Sequence, residues 1–155
     1  MKKLIALLYF VFQILFLSSA SASDPQDSIL GKWKTYDENN VYDGIVEIYK
    51  QNDEYFGKIV YMPNPAHKDS ICSECEGEDK DKPVLGLVFL KNMKKDKDYY
   101  TEGTILDPYS GKVYSCEIHL ENNGRKLKVR GYVGFCLFGS NRYWDRIKDE
   151  SIGGK

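Results

Sequence analysis

From Lys32 to Ile147 the chain is a run of short extended stretches, each closed by residues that favour turns. Asp37-Glu38-Asn39-Asn40, Gln51-Asn52-Asp53-Glu54, Asp107-Pro108-Tyr109-Ser110-Gly111 and Glu121-Asn122-Asn123-Gly124-Arg125 punctuate it. Asn-Gly supplies the positive φ of a tight hairpin, and Pro followed by Gly suits a turn with a left-handed exit. Between these stops the apolar residues alternate. Tyr114, Cys116, Ile118 and Leu120 share one face, while Ser115, Glu117 and His119 share the other, the pattern of a half-buried antiparallel strand. Strands are expected at residues 32–36, 45–50, 55–62, 84–93, 99–106, 112–120, 127–135 and 141–147. No stretch reads as a capped helix of any length, and no βαβ rhythm is present. The expected fold class is therefore all-β: a single antiparallel up-and-down barrel of about eight strands, in which each strand pairs with the next. A barrel of that size holds one small ligand at most.

Two aromatic-basic positions reinforce closure. Gly31-Lys32-Trp33 opens the first strand, and Trp144-Asp145-Arg146 lies in the last. Closing the sheet brings Arg146 over the Trp33 indole, a cation–π contact of about 0.5–2 kcal/mol. Trp33 and Arg146 are expected to plug one end of the barrel rather than to touch a ligand.

The residues before the barrel read as a leader. Lys2 and Lys3 precede an apolar run from Leu4 to Leu17, and Ala20-Ser21-Ala22 offers a small-x-small cleavage site. The run is shorter than the roughly 20 residues of a membrane span. Residues 1–22 are thus expected to be a cleaved signal peptide, residues 23–30 a loose segment, 31–147 the barrel and 148–155 a tail. The expected location is periplasmic or secreted, with no stable membrane insertion once the leader is gone. Removing Lys2 and Lys3 takes the net charge from −1 to −3, which gives nucleic acid no electrostatic footing.

Export permits disulfides. Cys72 and Cys75 lie in a polar loop between Asn64 and Pro83 and are the disulfide candidate; so small a ring pins the loop more than it stabilises the fold. Redox chemistry is disfavoured, because Glu74 and Glu76 raise a thiol pKa. A zinc site lacks a second closely spaced pair. Cys116 should fall opposite Gly131, which leaves Cys136 about five residues out of register for a bridge.

Motifs for catalysis are missing: no Gly-x-Ser-x-Gly elbow, no His-Glu-x-x-His and no phosphate loop occurs, and His67 and His119 stand alone. No enzyme activity, cofactor or metal is expected. The chain is rich in Tyr, and by strand parity Tyr55, Tyr61 and Tyr114 share faces with Ile59 and Ile118. These three are the candidate ligand-binding residues, since tyrosine offers ring area together with a hydroxyl.

Several spaced motifs occur in the order of one known family: Gly31-Lys32-Trp33, Gly57-Lys58-Ile59, Cys72-x-x-Cys75, Pro83-Val84-Leu85-Gly86-Leu87, Ile105-Leu106-Asp107-Pro108, Ser110-Gly111-Lys112-Val113-Tyr114, Arg130-Gly131-Tyr132-Val133-Gly134 and Trp144-Asp145-Arg146. In these the chain resembles the bacterial domain-of-unknown-function 2147 family over residues 31–147. The resemblance implies an exported protein with a lipocalin-like barrel, whose Gly-x-Trp end is the closed one. It carries over no catalytic residue. The expected function is non-catalytic binding of a small apolar or amphipathic molecule inside the barrel. The alternative is an envelope protein-interaction module that uses the loops around Cys72 and Cys75, with a protein partner the sequence does not name.

Overall fold

A computed structural model describes residues 28–134 and 138–148 of the 155-residue chain. Residues 1–22, expected as a leader, Cys136 and most of the expected tail lie outside the described residues. Eight strands, β1 (Gly31–Tyr36), β2 (Tyr42–Gln51), β3 (Glu54–Tyr61), β4 (Val88–Asp96), β5 (Tyr99–Leu106), β6 (Val113–Glu121), β7 (Lys126–Tyr132) and β8 (Gly139–Arg146), form one closed barrel in sequence order. Every neighbouring pair is antiparallel. The expected strand order and count hold. Boundaries move at several strands: β2 starts at Tyr42 rather than 45, β7 ends at Tyr132 rather than 135, and the expected fourth strand at Val84 begins only at Val88 and runs on to Asp96, because Gly86 takes φ +90° and breaks the extended run.

The alternation seen in sequence sorts residues inside and out. On β6, Cys116 and Ile118 are buried, and on β7 Leu127 and Val129 are. Cys116 pairs with Gly131, as the Asn-Gly turn requires. The Cys116 sulfur is a free thiol in the core, and burial, with the Glu117 charge second, pushes its pKa up to about 12. It behaves as a small hydrophobe and not as a nucleophile.

Two classes of loop give the barrel unlike ends. At one end the strands are joined by the tight turns β2–β3, β4–β5 and β6–β7. At the other lie the β1–β2 loop, the long β3–β4 loop and the β5–β6 turn. The core at the tight-turn end is filled. Trp33 is fully buried, and its indole nitrogen donates to the Ile29 carbonyl at 2.9 Å. The Arg146 guanidinium stacks 4.2 Å above the Trp33 ring. It also donates to three backbone carbonyls: Leu30 at 2.9 Å, Ser28 and Gly124. One side chain thus ties the N-terminal segment, the β6–β7 turn and the first strand together. Gly31 lets the chain bend into this arrangement with φ +110°, a conformation costly for any residue with a Cβ.

The β1–β8 seam is the shortest ladder of the barrel. Its paired positions are Trp33 with Arg146 and Lys34 with Asp145. The Ile147 amide adds a bond to the Lys32 carbonyl at 2.9 Å. Asp145 reinforces the seam by accepting from the Tyr36 hydroxyl at 2.8 Å and pairing with Lys126 at 2.9 Å. Burial alone would raise the Asp145 pKa, but the hydrogen bonds from Lys126 and Tyr36 and the nearby Lys charges outweigh it and hold the carboxylate low.

Hydrogen bonds from a charged donor contribute about 1.5–3 kcal/mol each, and leaving carbonyls unpaired adds to the loss. Arg146→Ala is therefore expected to lower unfolding stability by about 2–3 kcal/mol. Arg146→Lys should recover only part of it, because an ammonium lacks the planar fork that reaches several carbonyls. Urea denaturation checks both variants; an unchanged midpoint for Arg146→Ala contradicts the assigned role.

Candidate functional site

The opposite end is open. A cavity of about 270 Å³ enters the barrel between the β1–β2 loop, the ends of the β3–β4 loop and the β5–β6 turn. Its deep wall is apolar, with Val46, Ile59, Phe89 and Trp144, and Leu106 adds apolar surface beside the β5–β6 turn. Phe89 and Trp144 meet with ring centroids 6.1 Å apart and separate the cavity from the plug below. Nearer the rim the lining turns polar, with Tyr36, Asp43, Tyr61, Tyr109, Tyr114 and Arg142. A second cavity of about 360 Å³ continues toward β7 and β8 and shares Ile105, Asp107, Tyr114, Arg142 and Trp144 with the first. An apolar floor below polar groups at the rim suits a molecule with an apolar body and a polar end.

Of the three tyrosines singled out by parity, Tyr61 and Tyr114 both line this cavity, with Tyr61 48% exposed at its edge. Tyr55 also points inward, but at the other end. It packs edge-on against Tyr100 at 4.8 Å beside the plug, so it lies outside the cavity. Parity tells inside from outside; it does not tell height along the barrel, and Tyr55 begins β3 where Tyr61 ends it. Trp33 and Arg146 sit together in the closed end.

The rim is organised by the β3–β4 loop. A disulfide joins Cys72 and Cys75, with Cα atoms 5.3 Å apart, and both residues are buried. The loop is folded on itself: the Cys72 amide donates to the Lys82 carbonyl at 2.8 Å, and the Val84 amide to Ser70 at 2.8 Å. It then leans on the β5–β6 turn. Asp107 shapes that turn by accepting from the Tyr109 amide at 3.0 Å and the Ser110 hydroxyl at 2.6 Å. Cys72 Sγ contacts the Pro108 carbonyl at 3.3 Å, a packing contact because a bridged sulfur carries no proton. Gly111, at φ +68°, is so close that a Cβ there would sit 1.8 Å from the Glu74 carbonyl oxygen. His67 adds a contact from the same loop, its Nδ1 3.1 Å from the Tyr109 hydroxyl. The charges of residues 74–82 stay largely in solvent, except that Asp79 pairs with Lys91 of β4. His119 stacks on Tyr99 at 4.7 Å, away from the cavity.

Two electrostatic features mark the rim. Burial, then the neighbouring Asp37, raises the Asp43 pKa, with His67 opposing. Burial, followed by Asp43 and Asp107, raises that of Tyr109. Among the described residues, no group of three or more His, Cys, Asp or Glu is placed to hold a metal ion, and no helix is long and apolar enough to cross a membrane.

The sequence reading missed Phe89, Trp144 and Arg142. Trp144 and Arg142 had a usable signal: counting back in steps of two from Arg146 places both on the inner face of β8. The position of Phe89 depends on where β4 begins, which Gly86 shifts.

This architecture is that of a lipocalin-like barrel, closed at its Gly-x-Trp end and open at the other. The chain belongs to the family of uncharacterized proteins conserved in bacteria designated DUF2147, which matches residues 31–146. Among solved structures it is similar to protein HP1028 from Helicobacter pylori, described as belonging to the lipocalin family. The TM-score is 0.70 at 21% identity, over 79% of this chain and 85% of that one. At that identity the likeness speaks for the fold. No curated protein matches the chain.

The disulfide closes too small a ring to add much global stability, yet the loop it braces forms one side of the rim. In the double variant Cys72→Ser/Cys75→Ser, limited proteolysis is expected to cut within residues 64–83 at least tenfold faster, while the thermal midpoint of the barrel moves by only a few degrees. Equal cleavage rates contradict the bracing role.

Proposed function

We propose that the protein is exported and acts without catalysis, holding a small apolar or amphipathic molecule in the open-end cavity. The observation that carries this reading is the asymmetry of the barrel: one end is filled by the Trp33–Arg146 plug, while the other keeps a cavity with an apolar floor and a polar rim. The rim residues come from several loops held together by the Cys72–Cys75 element, so the cavity is built on a braced frame. A preformed, largely apolar site binds without a large ordering cost. Export rests on the leader, residues 1–22, whose basic start, apolar run and Ala20-Ser21-Ala22 site form a signal-peptide pattern. The lack in the sequence of a Gly-x-Ser-x-Gly elbow, a His-Glu-x-x-His pair and a phosphate loop favours binding over chemistry.

A second reading has a specific observation behind it. Ile71 and Leu85 flank the disulfide loop and are 50% and 44% exposed. That favours an envelope interaction module contacting a protein through this loop. The two readings separate experimentally, because only the first requires the cavity to be filled.

Native mass spectrometry of protein recovered from its own cell envelope tests the first reading. The expected species is residues 23–155 carrying an additional small mass, lost on denaturation. The variant Ile59→Trp, which fills the cavity from β3, should retain the fold and lose the adduct. An adduct-free wild-type protein that also fails to bind decanol in vitro contradicts the cavity reading, and an intact leader contradicts export.

A further inference from the structure

Arg142 and Arg146 stand on the same inner face of β8, one on either side of Trp144, and their surroundings differ completely. Arg146 is consumed by the plug, with three carbonyls and an indole face as partners. Arg142 lines both cavities at the open end, opposite Val129 on β7. Its one hydrogen bond among the described residues goes to the Ser140 hydroxyl at 3.2 Å, and no carboxylate lies in ion-pair range of it there.

Carboxylates are nonetheless present in the same lining. Asp107 has both oxygens committed to its own turn, accepting from the Tyr109 amide and the Ser110 hydroxyl. Asp43 lies on β2 and has Asp37, His67 and Tyr109 as its electrostatic neighbours. Neither neutralises Arg142. The barrel therefore holds an exposed guanidinium above an apolar floor, with most of its donor fork unused among the described residues. A guanidinium offers paired N–H groups that match the two oxygens of a carboxylate or phosphate, a match an ammonium or a hydroxyl does not reproduce.

We infer that Arg142 is the head-group anchor of the cavity, and that the ligand is a single-chain amphiphile with an anionic head, its chain on Trp144 and Phe89 and its head at Arg142. This rests on the cavity-binding reading above and sharpens it. The Tyr114 ring lines both cavities, as Arg142 does, and adds an aromatic wall to them.

The test compares four probes of one chain length, decanoate, decyl phosphate, decanol and decylamine, by calorimetry on the wild-type protein and on Arg142→Gln and Arg142→Lys. The expected result is that decanoate or decyl phosphate binds about 10–100-fold tighter than decanol, the range of a charge-assisted hydrogen-bonded pair. The tighter of the two anions identifies the head group. Arg142→Gln should abolish that preference, bringing the anions to the level of decanol measured on the same variant, and Arg142→Lys should keep only part of it. Equal binding of all four probes, or preference for decylamine, overturns the anchor and leaves the cavity reading standing. Failure of every probe, decanol included, overturns both. The wild-type comparison stands even if a variant fails to fold, and thermal midpoints report whether it has.

Discussion

The barrel depends on how it is closed. Seven of its eight strand junctions are connected by the chain itself, but β1 and β8 must find each other across the whole domain, and they do so through a short ladder. Arg146 makes that junction stable. Its guanidinium covers Trp33 and takes up carbonyls from the N-terminal segment and from the β6–β7 turn. Of the three residues Gly124 is buried, and an unpaired buried carbonyl costs about 1–3 kcal/mol. A single charged side chain thus completes the ladder, caps the core and orders residues 28–30.

Filling one end decides where function can lie. Trp33, Tyr55, Tyr100 and Met93 are buried and pack the lower barrel; the concavity at that end, between the β4–β5 and β6–β7 turns, is lined mostly by polar side chains, whereas the apolar-lined cavity lies above Phe89 and Trp144. There the loops are longer, and the tightest contacts are between loops rather than between strands. Gly111 against Glu74, and Cys72 against Pro108, couple the disulfide-braced segment to the β5–β6 turn. The disulfide acts on the shape of the rim, whereas the plug acts on the stability of the fold.

Much of this was legible in the sequence, for definable reasons. Period-two alternation and Asn-Gly or Pro-x-x-Gly turns set the strand number, the order and the Cys116–Gly131 register. The Trp33–Arg146 pairing followed from closure. The local Cys72–Cys75 bridge followed from spacing. Less legible was depth. Tyr55 and Tyr114 carry the same parity signal, yet one packs in the floor and one lines the cavity, since parity is blind to height along a strand. The start of β4 was hidden because Val84–Leu87 reads as apolar and extended, while Gly86 turns it into a loop end. Arg142 escaped because a charged residue on an inner face looks like an error in the pattern, although that irregularity marks the polar rim.

Trp33 and Trp144 are the two tryptophans of the chain, and they lie on opposite sides of the division between plug and cavity. Their indole N–H resonances can be followed separately by NMR during titration with decanol, once assigned with Trp33→Phe. The account predicts that the Trp144 resonance shifts progressively while that of Trp33, bonded to the Ile29 carbonyl, stays in place. A shift at Trp33 with none at Trp144, or no shift at either up to the solubility of the probe, would contradict it.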